Sequence, residues 1–353
     1  MLSGLFLISV SSTLVWFGTR VPQYSTVKKE SMSMDDAKMF PVLGSVILVS
    51  LFCALRYLPK NMINTLFRAI FSMTGTVSLY KIFKMVHEHF TGPAKTEADK
   101  KKKDLESKPK AEKDGKAAKK EEKESKKTED SSKPENAATS SVFDMASLKS
   151  DIIEAYSEVK EAINSQFEEL KYLPYGCLFV LSLAVNLWYF KTKSIMSSNI
   201  LACAFSIMGI QEIRPDSTKT VLVLLGLLFV YDIFWVFCTP VMLGVAKGLD
   251  IPIKIVYPFA KKGGSMIGLG DIVIPGLFLA LAREFAHKNS SPFVFFGGFV
   301  GYVLALIITF AVVIMFKAGQ PALLYICPLI VAGSMAGALF HKKTKQFIDY
   351  KSE

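Results

Sequence analysis

Apolar residues fall in long blocks along this chain, and the blocks are of a length that crosses a bilayer. A helical crossing takes about 17–25 predominantly apolar residues. Nine such blocks begin near Leu2, Pro41, Met62, Leu173, Ser194, Lys219, Ser265, Pro292 and Gln320. The block at Met62 carries Arg68, Lys81 and Lys84, and the one at Ser194 is barely long enough. Backbone groups in lipid must be satisfied within their own element, so the blocks are predicted as helices. The fold class that follows is an all-α membrane protein, a polytopic bundle of about nine transmembrane helices.

Polar residues break this pattern at one place. Residues 91–141 are Lys, Glu, Asp, Ser and Ala with almost no apolar side chain, which predicts a disordered charged insert. Its lysines slightly outnumber its acids, and the run 100–103 suits anionic lipid, but it reads first as a solvated linker. Within 142–171, Phe143, Leu148, Ile152, Tyr156, Val159, Ile163, Phe167 and Leu170 recur at three- and four-residue steps. That spacing predicts an amphipathic helix on the membrane surface or on a cytosolic partner. The expected organisation is helices one to three in 1–90, the insert in 91–141, the amphipathic helix in 142–171, helices four to nine in 172–341, and a cytosolic tail in 342–353.

Composition is 51% hydrophobic with a formal net charge of +11, and the charges sit in loops and in the insert. Residues 1–17 hold no basic side chain, whereas Arg20, Lys28 and Lys29 follow, so a retained helix with its N-terminus outside is favoured over a cleaved leader. Nine crossings then place the C-terminus in the cytosol. His341, Lys342, Lys343 and Lys345 fall inside, as do Arg283 and Lys288, while Lys191, Lys193, Lys254, Lys261 and Lys262 fall outside against the positive-inside rule. Asn289 opens a glycosylation sequon that this topology leaves in the cytosol.

Two side chains carry the candidate chemistry. Asp232 lies inside the apolar run 221–237, and Asp271 opens the run 268–282, with no Lys or Arg in either stretch. A charge at mid-bilayer costs about 2.5–3.5 kcal/mol on insertion scales, so the pair marks a site facing water inside the bundle. Two carboxylates sharing a site titrate as a unit. One accepts a proton from water while the other donates to a carbonyl oxygen, the arrangement of aspartic proteases. Such carboxylates also serve as proton relays or ion ligands, and on the aspartates alone a proton- or ion-coupled transporter stands level with a hydrolase. Around them, Gly268 and Gly270 offer close backbone approach and unusual dihedrals, Pro275 is expected to interrupt the helix, and Tyr231 to set a hydroxyl beside Asp232.

Other chemistries find little support. Cys53, Cys177, Cys203, Cys238 and Cys327 have no metal-ligand spacing and read as small apolar residues of the bundle. No HExxH or GxSxG occurs. No metal, cofactor or nucleic-acid partner is expected. Gly333 and Gly337 have GxxxG spacing, which reads as packing within the bundle before self-association into a homo-oligomer.

Three motifs taken together resemble the intramembrane aspartyl proteases of the presenilin and signal peptide peptidase family. They are Tyr231-Asp232, Gly268-Leu269-Gly270-Asp271 and Pro321-Ala322-Leu323, in the sixth, seventh and ninth predicted spans. Leu324 and Tyr325 after the last motif, and the stretches 252–258 and 36–41, draw the resemblance toward the peptidase branch. It implies a presenilin-like bundle with Asp232 and Asp271 catalytic. Tyr231, Gly268, Leu269 and Gly270 would support them, and Pro321, Ala322 and Leu323 would hold substrate. It further implies type II transmembrane helices, chiefly signal-peptide remnants, as substrates in the bilayer of the endoplasmic reticulum, with the N-terminus lumenal.

Overall fold

The structure, a computed structural model, describes residues 2–20, 30–91, 173–192, 194–239, 241–249, 251–259, 265–316 and 319–352. The predicted insert beyond Thr91 and the predicted amphipathic helix lie outside the described residues. The long helices are α1 (Leu2–Gly18), α2 (Met34–Tyr57), α3 (Lys60–Thr91), α4 (Leu173–Thr192), α5 (Ile195–Glu212) and α6 (Thr218–Phe237). A short α7 (Val241–Gly248) precedes α8 (Gly270–Lys288), α9 (Pro292–Phe316), α10 (Leu323–Phe340) and the final turn α11 (Thr344–Ile348). Two small sheets complete the set: β1 (Glu30–Met32) parallel to β2 (Ile213–Pro215), and β3 (Lys254–Val256) antiparallel to β4 (Met266–Gly268).

Each predicted block contains a helix, with the starts at Pro41, Ser265 and Gln320 displaced, but nine crossings are not reached among the described residues. Helix α2 begins seven residues before Pro41, because Ser33 and Asp36 form a capping box: Ser33 Oγ accepts the Asp36 N–H at 3.3 Å and Asp36 Oδ2 accepts the Ser33 N–H at 2.9 Å. The block predicted from Ser265 opens as strand β4, and its helix starts only at Gly270. Five helices are long and apolar enough to cross a membrane among the described residues: Leu2–Arg20, Met34–Tyr57, Thr218–Phe237, Pro292–Phe316 and Leu323–Phe340. Their outer faces carry exposed apolar side chains such as Val46, Ile47, Val230, Ile307 and Leu339, as a lipid-facing surface requires. The chain is a multi-pass α-helical membrane protein.

The chain divides into two compact units, Met1–Met85 with Leu178–Glu353, and Val86–Cys177. In the second, Tyr175 donates to Glu88 Oε1 at 2.9 Å and meets His87 edge-on.

Helices α9 and α10 form its tightest seam. A Cβ on Gly297 would collide with the Gly333 carbonyl, one on Gly301 with the Leu329 carbonyl, and one on Gly337 with the Phe293 carbonyl. The two backbones thus touch with no side chain between them, and the spacing of Gly333 and Gly337 is spent within the bundle.

At the far end of α8, Glu284 gathers Arg214 at 2.7 Å, Lys288 at 3.2 Å, the Tyr350 hydroxyl at 2.9 Å and the Ser352 hydroxyl at 3.1 Å. The residues read as a tail are therefore docked. Thr218 donates to the Tyr350 carbonyl at 3.0 Å, Ser352 to the Asp216 carbonyl at 2.8 Å, and Phe347 is fully buried against Phe278 and Phe285.

Candidate active site

Helix α6 presents Asp232 inward, 5% exposed, on a side packed by α8 and α10. Helix α10 starts without a side-chain cap of its own: Ala322 occupies the cap position and has no hydroxyl or carboxylate to offer. The first N–H groups of a helix need an outside acceptor. Asp232 supplies it, its Oδ2 accepting the Leu323 N–H at 3.0 Å. One carboxylate thereby joins the Tyr-Asp motif to the Pro-Ala-Leu motif across 91 residues of sequence. Pro321 and Leu323 are buried beside it and Ala322 is half-buried.

Asp271 is placed by a hairpin. Lys254 pairs with Gly268, Ile255 with Ile267 and Val256 with Met266. The ladder extends one step each way, through Tyr257 N–H to the Ser265 carbonyl at 3.1 Å and Leu269 N–H to the Ile253 carbonyl at 3.0 Å. The outward edge of β3 is closed by the Asn199 amide, which donates to the Val256 carbonyl at 2.6 Å and accepts the Val256 N–H at 3.0 Å. The hairpin delivers the chain through Leu269 into α8, and Asp271 falls in the first turn. Asp271 Oδ2 folds back toward Gly268, lying 3.5 Å from where a Cβ would stand, while Gly270 faces open space. Neither glycine adopts a left-handed φ, so the expectation of unusual dihedrals there is corrected.

Asp232 and Asp271 lie within electrostatic reach of one another, and buried Cys327 on α10 lies within reach of both. The structure thus gathers Asp232, Asp271, Gly268, Leu269 and the Pro321–Leu323 turn into one region. Tyr231 also lies within electrostatic reach of Asp232. One residue along a helix rotates a side chain by about 100°, and the Tyr231 hydroxyl lies toward α2, 3.5 Å from where a Cβ on Gly44 would stand.

Pro275 also departs from expectation. It lies inside α8 without ending it. In a helix the N–H of residue 275 would bond to the carbonyl of residue 271, and proline has no N–H to give. The Asp271 carbonyl is left free of its helical partner, and the Tyr302 hydroxyl of α9 donates to it at 3.2 Å. Tyr302 is fully buried, with Ser11 of α1 at its phenol oxygen. Sequence reasoning missed Tyr302 and Asn199. Their signals were slight: a lone tyrosine in a largely apolar span, and one of two amides in a short one.

The family model for signal peptide peptidase matches residues 24–353. A probable intramembrane protease of Schizosaccharomyces pombe is 44% identical over 183 residues, 49% of this chain and 62% of that protein. The signal peptide peptidases of Mus musculus and Homo sapiens are 37% and 36% identical over 201 residues, 54% of this chain and 52% of theirs. The chain spans about half to three-fifths of the length of these relatives. No solved structure matches it. A family match across nearly the whole chain, including all three motifs around Asp232 and Asp271, makes this protein a member of the signal peptide peptidase family.

Proposed function

We propose that the protein is an intramembrane aspartic endopeptidase in which Asp232 and Asp271 share a proton and activate water. The observation that carries the reading is that two carboxylates from different helices lie within electrostatic reach of one another, with Asp232 at the N-terminus of α10 and no basic residue in either apolar run. One carboxylate takes a proton from water, and the resulting hydroxide attacks the peptide carbonyl carbon. The other donates its proton to the carbonyl oxygen, giving a neutral gem-diol. Transfer of a proton to the amide nitrogen then breaks the C–N bond and releases an acid and an amine. With Oδ2 of Asp232 held by Leu323, Oδ1 remains to orient the water.

A helical substrate hides its carbonyls in its own hydrogen bonds, so it must unwind at the site. The hairpin supports this step. Asn199 closes the outer edge of β3, which leaves the β4 edge at Met266 and Gly268 to receive an extended peptide next to Asp271. Pro321 adds non-helical backbone on the other side. The substrates proposed are type II transmembrane helices, chiefly signal-peptide remnants, in the membrane of the endoplasmic reticulum, with this chain's N-terminus lumenal and its C-terminus cytosolic.

The test is incubation of the purified protein in detergent with a helical signal-peptide substrate, with product masses read directly. Internal cleavage is expected, and Asp232→Asn and Asp271→Asn should each abolish it while the proteins remain folded. Near-normal turnover in either variant would sink the dyad. A glycosylation tag before Met1 should be modified, and one after Glu353 should stay bare. The reverse pattern would overturn the type II assignment.

A further inference from the structure

The first turn of α8 contains a missing hydrogen bond and its replacement, and the two were chosen from different helices. Pro275 removes the donor that would hold the Asp271 carbonyl. A buried carbonyl without a partner costs about 1–3 kcal/mol, and a helix relieved of one bond at this point bends there. Either outcome would move the backbone that carries the Asp271 side chain. Tyr302 prevents both. Its hydroxyl reaches the freed oxygen at 3.2 Å from a fully buried ring, so it has no solvent to bond with instead. Its own helix is fixed, because α9 is sealed to α10 by the glycine contacts at Gly297 and Gly301. Helix α10 in turn carries the Leu323 N–H that holds Asp232. The two carboxylates are therefore referred to the same rigid pair of helices: Asp232 through Leu323 on α10, and Asp271 through Tyr302 on α9.

We propose that Tyr302 is a positioning residue for the proteolytic reaction: it replaces the helical donor lost at Pro275 and so fixes the distance between the Asp271 and Asp232 carboxyl groups. This rests on the proteolytic reading above. It makes Pro275 and Tyr302 a matched pair in which each accounts for the other. A proline alone would loosen the turn. A tyrosine alone would meet a carbonyl already satisfied.

The experiment is a double-mutant cycle on the full chain with Tyr302→Phe, Pro275→Ala and the two combined. Tyr302→Phe keeps the ring and removes only the hydroxyl. It is expected to lower kcat by about ten- to a hundredfold, the usual result of a small misplacement of a reacting group, with KM nearly unchanged. The width of the pH profile of kcat should also change, because proton sharing between two carboxyls depends on their separation. Pro275→Ala restores an N–H to the Asp271 carbonyl, so in its background the hydroxyl is redundant. The double variant should recover most of the lost kcat and the wild-type pH profile. Equal losses from Tyr302→Phe in both backgrounds would overturn the pairing, as would a Tyr302→Phe enzyme with normal kcat and pH profile. Melting temperatures of the four proteins read the same cycle without catalysis. Coupling there with no peptide product from the wild type would condemn the proteolytic reading while upholding the contact. Absence of coupling in both readouts would condemn the contact itself.

Discussion

Helix α10 has two faces that are held by opposite means. Toward α9 it is zipped by backbone contact at Gly297, Gly301, Gly333 and Gly337, where any Cβ would strike a carbonyl. Toward α6 it meets a carboxylate through one hydrogen bond, from Leu323 to Asp232. In lipid there is no hydrophobic drive between helices, so association rests on close packing or on polar bonds. The first face uses close packing along its length and leaves no room for anything else. The second uses a polar bond at its end, from the Leu323 N–H to the Asp232 carboxylate. The proposed function assigns them different parts: the sealed face stays closed, and the face held by the polar bond is the one that would open to water and an unwound peptide.

The sharpest way to break this contrast is to attack the sealed face. Gly333→Val should place a branched side chain against the Gly297 carbonyl and force the helices apart. A loss of about 3 kcal/mol or more is expected, since overpacking a close seam has no cheap relaxation. Thermal unfolding in detergent should show it, with activity falling in step. A Gly333→Val protein that unfolded at the wild-type temperature would mean that the seam is not what fixes α10.

The polar side should respond differently, in catalysis more than in stability. Asn199→Ala strips both bonds from Val256 and opens the outer edge of β3. Each bond contributes about 1 kcal/mol net. The hairpin should loosen, and KM for a helical substrate should rise while the midpoint of global unfolding moves far less than in Gly333→Val. An equal fall in stability for the two variants would erase the distinction between sealed and open faces.

How far this arrangement was legible in the sequence depends on the range of the signal. Long apolar blocks gave the helices, because a span announces itself within about 20 residues. The aspartates announced themselves by standing where lipid should be. The features that join the elements were silent. Strands β3 and β4 are three residues each and, among the described residues, pair only with one another, so no period-two pattern develops. Seven residues of α2 were lost to the apolar rule, although the Ser33–Asp36 capping box was present in the text of the chain. Tyr302 was unreadable for a different reason. Its role depends on a carbonyl freed 31 residues earlier, and nothing local to either position states it.

Asp232 allows the open face to be dissected further, because it both caps α10 and carries a titratable proton in the proposed chemistry. Asn at this position keeps an oxygen that accepts the Leu323 N–H, whereas Ala keeps neither function. Both variants should be inactive. Asp232→Ala should also be less stable than Asp232→Asn by about 1 kcal/mol, the usual value of a helix cap. Equal unfolding midpoints would show that the contact with Leu323 holds nothing together, and the polar tie between α6 and α10 would then lie elsewhere.

The smallest effect is expected farthest from the dyad, where the C-terminal segment meets the start of α6. Lys219 Nζ lies 2.7 Å from Asp349 Oδ1, with both side chains about half exposed. Exposed pairs contribute little and are screened by salt. The hydrogen bond and charge of Lys219 hold the Asp349 carboxyl below its ordinary value of 3.8. A carboxyl depressed on folding stabilises above its unfolded value, and that contribution disappears as pH falls through the lower, folded value. Asp349→Asn should therefore melt slightly below wild type near neutrality in low salt, and the gap should close as pH drops under 3.8 or as salt is raised. Cleavage should be unaffected, because Thr218, Ser352 and Glu284 still dock the segment without this pair. A large loss of activity in Asp349→Asn would mean that the docked end governs the spacing of α6 and α8 at the carboxylates, and the contrast between the two faces of α10 would have to be extended to a third.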